Sequence, residues 1–265
     1  MKQPTKSFLS EATDFLIPVI KQAGEIALES WNKIEIVTQK DIRDIATKTD
    51  VEIENFLREK ILGKWPEHGF WGEEGDRLNI KSSYQWLVDP IDQTKLYAKE
   101  VPIFYVQIAL CFEAKPVLGL IYQPVSKQLF SAFEGNGAFL NNKALISKPS
   151  VSFDKAIVDV DFRGFRDKEQ KEGKWMLEKL NKIIENSYRA RMSGGALNIY
   201  LITGAFDAYI RLEDGTKPQD SAPRIIIMQE AGYKTKWIEN PFGKKILIIA
   251  QEPLLSIIKQ IILKK

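Results

Sequence analysis

Apolar positions recur at helical spacing over residues 7–33: Phe8, Ala12, Phe15, Val19, Ala23, Ile26, Ala27 and Trp31. The spacing predicts an amphipathic helix that Pro18 either kinks or delays. A second helical pattern carries Ile53, Phe56, Leu57 and Ile61, with Asp50 placed before it as an N-cap. The pattern then changes to short β-rich runs divided by turn residues, at 84–89, 103–112, 116–122 and 128–133. Gly135-Asn136-Gly137 follows as a tight turn. A second half begins near Ser150. It predicts strands at 156–161, 187–192, 206–212 and 246–250, and helices at 168–185, 220–231 and 253–263. A further helix opens at Ser193-Gly194-Gly195-Ala196 and runs to Thr203. Alternating strands and helices argue α/β packing. Two halves are expected, 1–149 and 150–265, layered into one compact unit around a shared crevice. The second half is expected to carry Asp220.

Composition narrows the chemistry. A chain of 265 residues with 44% hydrophobic content can bury a substantial core. No apolar run approaches the ~20 residues a membrane span needs. The opening segment is broken by Glu11, Asp14 and Lys21, so it does not read as a signal peptide. The lone cysteine, Cys111, excludes an internal disulfide and reads as a buried core thiol. A cytoplasmic location is the default expectation. The 38 basic and 35 acidic residues leave a net charge of +3, and the lysines are scattered. No clustered basic face points to nucleic acid, and nothing points to a membrane. The single histidine, His68, cannot build a His-rich zinc site, and Glu67-His68-Gly69 reads as a loop or surface position. Covalent Ser–His or Cys–His catalysis has little support. Oxygen ligands and a hard metal remain.

Those ligands are most visible at Trp86-Leu87-Val88-Asp89-Pro90-Ile91-Asp92-Gln93-Thr94. A hydrophobic strand runs into two aspartates three residues apart. Pro90 fixes its own φ and biases Asp89 toward an extended conformation, which predicts a sharp turn just after Asp89. Such a turn can aim both carboxylates and the Ile91 carbonyl into one space, as a hard divalent cation requires. Asp and Pro also make ordinary turns at strand ends, so the segment alone is a weak signal.

Three further segments strengthen it: Thr47-Lys48-Thr49-Asp50, Trp71-Gly72-Glu73-Glu74-Gly75 and Asp220-Ser221-Ala222. Taken singly, Glu73-Glu74 reads as an acidic turn and Asp220 as a helix cap. Together with Asp89-Pro90-Ile91-Asp92-Gln93-Thr94, they resemble the inositol monophosphatase family. This family comprises magnesium-dependent, lithium-sensitive phosphomonoesterases. Its superfamily includes fructose-1,6-bisphosphatases and 3′(2′),5′-bisphosphate nucleotidases. The resemblance spans nearly the whole chain. It implies a mixed α/β (α+β) fold, a five-layered αβαβα sandwich of the inositol monophosphatase/fructose-bisphosphatase kind, and a homodimer.

The resemblance also implies two to three Mg²⁺ ions per site and a role for each matching residue. Glu73, Asp89 and the Ile91 carbonyl would hold the first metal. Asp89, Asp92 and Asp220 would hold the second, and Glu73 would help retain a weaker third. Asp50 and Thr94 would orient or deprotonate the attacking water. Backbone N–H groups of Gln93 and Thr94 would bind phosphate at a helix N-terminus. Gly194, Gly195, Ala196 and Glu213, with Asp214 beside it, would contact the substrate. The sequence departs from the family pattern at Gln93 (usually glycine), Leu96 (usually asparagine) and Gln219 (usually tryptophan). Gln93 matters most if its position needs a positive φ. The expected substrate is inositol monophosphate or a sugar phosphate. Tyr209-Ile210-Arg211-Leu212 resembles the nucleotidase branch, which is the alternative. A third reading, from another class, is a catalytically weak, metal-binding regulatory relative.

Overall fold

Thr5 opens the first helix. Its hydroxyl accepts the Phe8 N–H at 3.2 Å, and α1 (Lys6–Ser30) then runs through Pro18 with no late start. The structure is a computed structural model that describes residues 3–41, 44–162, 170–212 and 217–264. After α1 come the hairpin β1 (Ile36–Asp41) and β2 (Asp44–Thr47), α2 (Lys48–Lys64), β3 (Gly69–Trp71) and β4 (Tyr84–Asp92). A single turn, α3 (Thr94–Tyr97), leads to β5 (Tyr105–Phe112), β6 (Lys115–Gln123), β7 (Gln128–Phe133), β8 (Ala138–Leu140) and β9 (Lys143–Leu145). Next are β10 (Ile157–Asp161), α4 (Gln170–Asn186), β11 (Arg189–Arg191), a 3₁₀ helix (Gly195–Thr203) and β12 (Ala208–Arg211). The chain closes with α5 (Pro218–Glu230), β13 (Lys234–Glu239), β14 (Lys245–Ala250) and α6 (Leu254–Leu263). Among the described residues, no helix is long and apolar enough to cross a membrane.

Two compact units result. The first is Met1–Ala144 with Lys217–Glu230; the second is Leu145–Thr216 with Ala231–Lys265. The expected boundary near residue 150 falls close by, but α5 joins the first unit, so Asp220 does not belong with the second half. The cause is local packing. Gly119 of β6 pairs with Ala109 and Ala132, which leaves a shallow strip on the sheet. A Cβ on Gly119 would stand 2.7 Å from the Pro223 carbonyl oxygen, so only glycine lets the α5 backbone lie this close.

The first unit is built on a seven-stranded sheet in the order β3-β4-β5-β6-β7-β8-β9. β3 runs parallel to β4, and the pairs from β4 through β8 are antiparallel. Strand residues alternate between faces. Trp86, Val88, Val106, Ile108 and Leu110 pack with Leu16, Ile20, Ile53 and Leu57 of α1 and α2. Leu87, Ala109 and Cys111 face the other way and meet Ala222 of α5. Asp89 follows Leu87 by two residues, so the pleat puts it on the α5 face.

Asp92 reaches that face through a bulge. Asp89 pairs with Gln107 and Asp92 with Tyr105, so three steps on β4 oppose two on β5. In a regular strand, residues three apart point to opposite faces; the extra residue brings Asp92 back to the side of Asp89. Pro90 sits inside the bulge, where its missing N–H costs least. The strand therefore continues through Pro90 to Asp92, in place of the sharp turn expected after Asp89.

In the second unit a five-stranded sheet has the order β11-β10-β12-β14-β13. Val158, Val160, Ile210 and Ile248 form its core with Met176, Ile183, Leu254 and Ile258 from α4 and α6. The helix expected after Ser193 is a 3₁₀ helix.

His68 corrects another expectation, because it is buried. Its ring stacks on Tyr84 at 4.6 Å, and Nδ1 accepts the Trp86 indole N–H at 3.0 Å. It is only 8% exposed, and burial pushes its pKa down to about 4. Aromatic neighbours on α1, at the end of α2 and on β4 capture a residue whose local sequence looks like a loop. The folded pKa lies below the unfolded value of ~6.5, so the neutral ring stabilises the fold above that pH. That stability is lost as pH falls from about 6.5 toward 4. Urea unfolding of wild type and His68→Phe across this range should differ in slope, with wild type losing on the order of 2 kcal/mol more than the variant. Equal slopes would show that His68 titrates as it does in the unfolded chain.

Candidate active site

Asp89 anchors the site. It is 1% exposed, and its Oδ2 accepts the Gln107 Nε2–H at 3.3 Å. Its other oxygen, Oδ1, is buried with no hydrogen-bond donor. Glu73, Asp89 and Asp220 each bring a carboxylate oxygen within 4.8 Å of the other two. All three belong to the first unit. Burial, followed by the charges of Glu73, Asp92 and Asp220, holds the Asp89 carboxyl well above the usual carboxylate range. Several carboxylates gathered out of water cannot all ionise without a compensating cation. Clustered oxygen donors, one of them an orphaned buried oxygen, fit a hard divalent ion such as Mg²⁺.

The loop after β3 is held from two sides. The Lys217 ammonium pairs with Glu73 Oε1 at 2.7 Å, and Gln219 Nε2 donates to the Gly72 carbonyl at 2.9 Å. From beneath, the Glu74 N–H donates to Glu54 Oε2 at 2.7 Å. Gln219 thus has a defined role as a tether on the residue before Glu73. Asp220 lies inside the first turn of α5, two residues after Pro218, and is not a cap before Ser221.

Asp50 occupies the third position of α2, and Thr47 is the N-cap. This corrects the expected cap. Asp50 Oδ2 accepts the Thr47 N–H at 2.8 Å and also the Thr47 hydroxyl, while the Asp50 N–H donates to Thr47 Oγ1 at 3.3 Å. The box leaves Oδ1 to face Thr94, whose hydroxyl lies 3.4 Å away. That hydroxyl also donates to the Ile91 carbonyl at 2.7 Å. One carboxylate therefore serves a cap with one oxygen and the site with the other. Burial raises the Asp50 pKa to about 7 against the lowering effect of Thr47, with Glu74 and Glu73 adding to the rise.

Gln93 stands at φ 71°, ψ 37°, in the left-handed region that favours glycine. α3 after it is one turn long, so any phosphate contact there rests on individual N–H groups and not on a helix dipole. Among the other expected site residues, Gly194 and Gly195 adopt φ 67° and 52° in the second unit. Ser193 is pinned there by Asp159, which accepts its N–H at 3.1 Å and its hydroxyl at 2.7 Å. Ala196 is buried at the start of the 3₁₀ helix. Arg211 is buried 3.6 Å from Asp161. Glu213 and Asp214 lie outside the described residues. Gln107 and Glu54 go unseen in the sequence, where Gln219 stands out only as a departure from the family pattern. Of the first two, only Glu54 leaves a trace there, as the acidic residue one helical turn after Asp50.

A family model described as "Inositol monophosphatase family" matches residues 9–260. The chain belongs to this family. The family is one of magnesium-dependent phosphatases. Inositol monophosphatase 2 of Solanum lycopersicum is 32% identical, over 84% of this chain and 86% of its own. Nus factor SuhB of Vibrio cholerae is 34% identical, over 78% of this chain and 76% of its own. An IMPase/NADP phosphatase solved with Mg²⁺ and phosphate superposes with a TM-score of 0.80 at 21% identity, covering 97% of each chain. The inositol monophosphatase fold inferred from sequence is thus the observed one.

Two predictions follow from the electrostatics and the backbone. Asp50 and Asp89 keep protons in the folded, metal-free protein that the unfolded chain releases near pH ~4. Metal-free stability therefore falls as pH rises from about 4 through 7, while Mg²⁺ demands ionised ligands. The gain in melting temperature from saturating Mg²⁺ should be larger near pH 8 than near pH 5.5; an equal gain would contradict the carboxylate assignment. At Gln93, release of left-handed strain (~1–2 kcal/mol) outweighs the glycine entropy cost (~0.5–1 kcal/mol). Gln93→Gly should be neutral to about 1 kcal/mol stabilising in urea melts, and Gln93→Val destabilising by about 1–2 kcal/mol.

Proposed function

We propose that this chain hydrolyses inositol monophosphate or a sugar phosphate, using metal-activated water. The observation that carries the reading is the orphaned, buried Asp89 Oδ1 beside the Glu73 and Asp220 carboxylates. Glu73, Asp89, the Ile91 carbonyl, Asp92 and Asp220 would hold the Mg²⁺ ions. Bound there, Mg²⁺ supplies charge neutralisation at the phosphoryl oxygens and a more acidic attacking water. Asp50 and Thr94 would orient or deprotonate the attacking water: with its hydroxyl proton turned from the Ile91 carbonyl to Asp50 Oδ1, the oxygen the capping box leaves open, Thr94 would accept a hydrogen bond from that water, whose proton would replace the one Thr94 gives to Asp50. Backbone N–H groups of Gln93 and Thr94 bind the phosphate. Gly194, Gly195, Ala196 and Glu213 are assigned to the substrate by family likeness. We also read the protein as a homodimer, with a cytoplasmic location as the default.

Likeness to the tomato inositol monophosphatase supports the substrate class. Likeness to Nus factor SuhB favours a second reading, a regulatory protein with weak catalysis. The nucleotidase reading gains nothing from Arg211, which is engaged by buried Asp161.

A phosphate-release panel decides among them. Inositol-1-phosphate, fructose-1,6-bisphosphate and 3′-phosphoadenosine 5′-phosphate are offered with Mg²⁺, with excess chelator and with added Li⁺. The expected result is turnover of the first or second that Mg²⁺ supports and chelator and Li⁺ suppress. Asp89→Asn should remove activity while leaving the protein folded. Turnover in excess chelator would overturn the mechanism. Preference for the nucleotide, or no turnover of any, would select the other readings.

A further inference from the structure

We infer that Glu54 is a positioning residue for Glu73, acting through the backbone of the Gly72–Gly75 loop. Glu54 is 3% exposed, on the face of α2 one turn beyond Asp50. Its carboxylate accepts the Glu74 N–H at 2.7 Å and also the Gly75 N–H. Glycine at both ends of the loop makes this approach possible. A Cβ on Gly75 would stand 2.6 Å from Glu54 Oε1, and one on Gly72 would overlap the carboxylate. The Gly-Glu-Glu-Gly segment is therefore wrapped over a buried anion, with Glu73 directed toward Asp89 and Asp220.

On charge alone, an acidic loop and a buried carboxylate repel. The attraction is between the carboxylate and backbone N–H dipoles, which form short charge-assisted bonds. Burying the carboxylate raises the cost of leaving either N–H unmade, so the loop is fixed in one geometry. Such fixation matters for Mg²⁺, which demands near-ideal octahedral placement of its oxygens. It also opposes the pull of Lys217 on the Glu73 carboxylate from the α5 side.

The inference rests on the metal role proposed for Glu73, and the experiment separates the two. Mg²⁺ titration calorimetry on chelator-stripped full-length protein compares wild type with Glu54→Gln, Gly75→Ala and Glu73→Gln. Glu54→Gln keeps the shape but offers an amide N–H to one of the two backbone donors. Gly75→Ala displaces the carboxylate without removing it. The expected result is a loss of Mg²⁺ affinity of several-fold or more in all three variants, as seen on removing supporting groups around metal ligands. In the Glu54 and Gly75 variants, kcat should recover as Mg²⁺ is raised, with KM for the phosphate ester near wild type. If Glu73→Gln weakens Mg²⁺ while folded Glu54→Gln and Gly75→Ala bind it like wild type, the positioning role is wrong. If Glu73→Gln itself leaves Mg²⁺ affinity unchanged, the metal assignment of Glu73 is wrong, and the Glu54 inference falls with it. Should Glu54→Gln fail to fold, Gly75→Ala carries the comparison alone. Activity lost without recovery at high Mg²⁺ would mark a general structural defect and overturn the inference.

Discussion

Mutual repulsion among closely gathered carboxylates, around the buried Asp89, is the constraint on which the first unit is arranged. Glu73, Asp89 and Asp220 approach one another, and Asp89 has an oxygen with no donor. In a protein selected for stability alone, such a cluster would be replaced by apolar groups. Here each member is held by its own element: Glu73 after β3, Asp89 in β4, Asp220 in α5. The pleat of β4 sets the face of Asp89, and the bulge at Pro90 returns Asp92 to it. Gly119 lets α5 settle on the sheet. Sheet and helix packing thus maintain a concentration of negative charge that a divalent cation relieves.

The same economy appears around Asp50 and Thr94, the pair proposed to act on the attacking water. Asp50 closes the first turn of α2 with one oxygen and faces Thr94 with the other. Cap geometry fixes the carboxylate's rotamer, so its second oxygen is aimed without further partners. Gln93 sits beside this pair in a left-handed conformation that costs a non-glycine residue energy. Strain of this kind concentrates at functional segments, where surrounding structure enforces it.

Much of this was legible in the sequence because it rests on local rules. Residues 128–133 read as a short β-rich run between turn residues and form a strand, and the apolar spacing of residues 7–33 forms α1. The Asp-Pro-Ile-Asp segment announced its chemistry through residue types alone. Other features depended on partners distant in the chain. His68 looks exposed until Trp65, Tyr84 and Trp86 surround it. Asp220 reads as part of the second half until α5 packs on the first sheet. The role of Asp50 turns on Thr47, three residues earlier, which is the cap. Gln107 and Glu54 carry no motif, and Gln219 reads only as a departure from one, because amides and carboxylates that grip backbone or neighbouring side chains are recognisable only after the chain has folded.

The central claim is that the carboxylate group formed by Glu73, Asp89 and Asp220 is a cation site. The most direct measurement is anomalous diffraction from crystals soaked in Mn²⁺, a hard-ligand surrogate with an anomalous signal that Mg²⁺ lacks. The account predicts a strong peak among these three carboxylates, with Asp89 Oδ1 in its coordination shell and the Lys217 ammonium displaced from Glu73. A map with no peak there, and Lys217 still paired with Glu73, would contradict it.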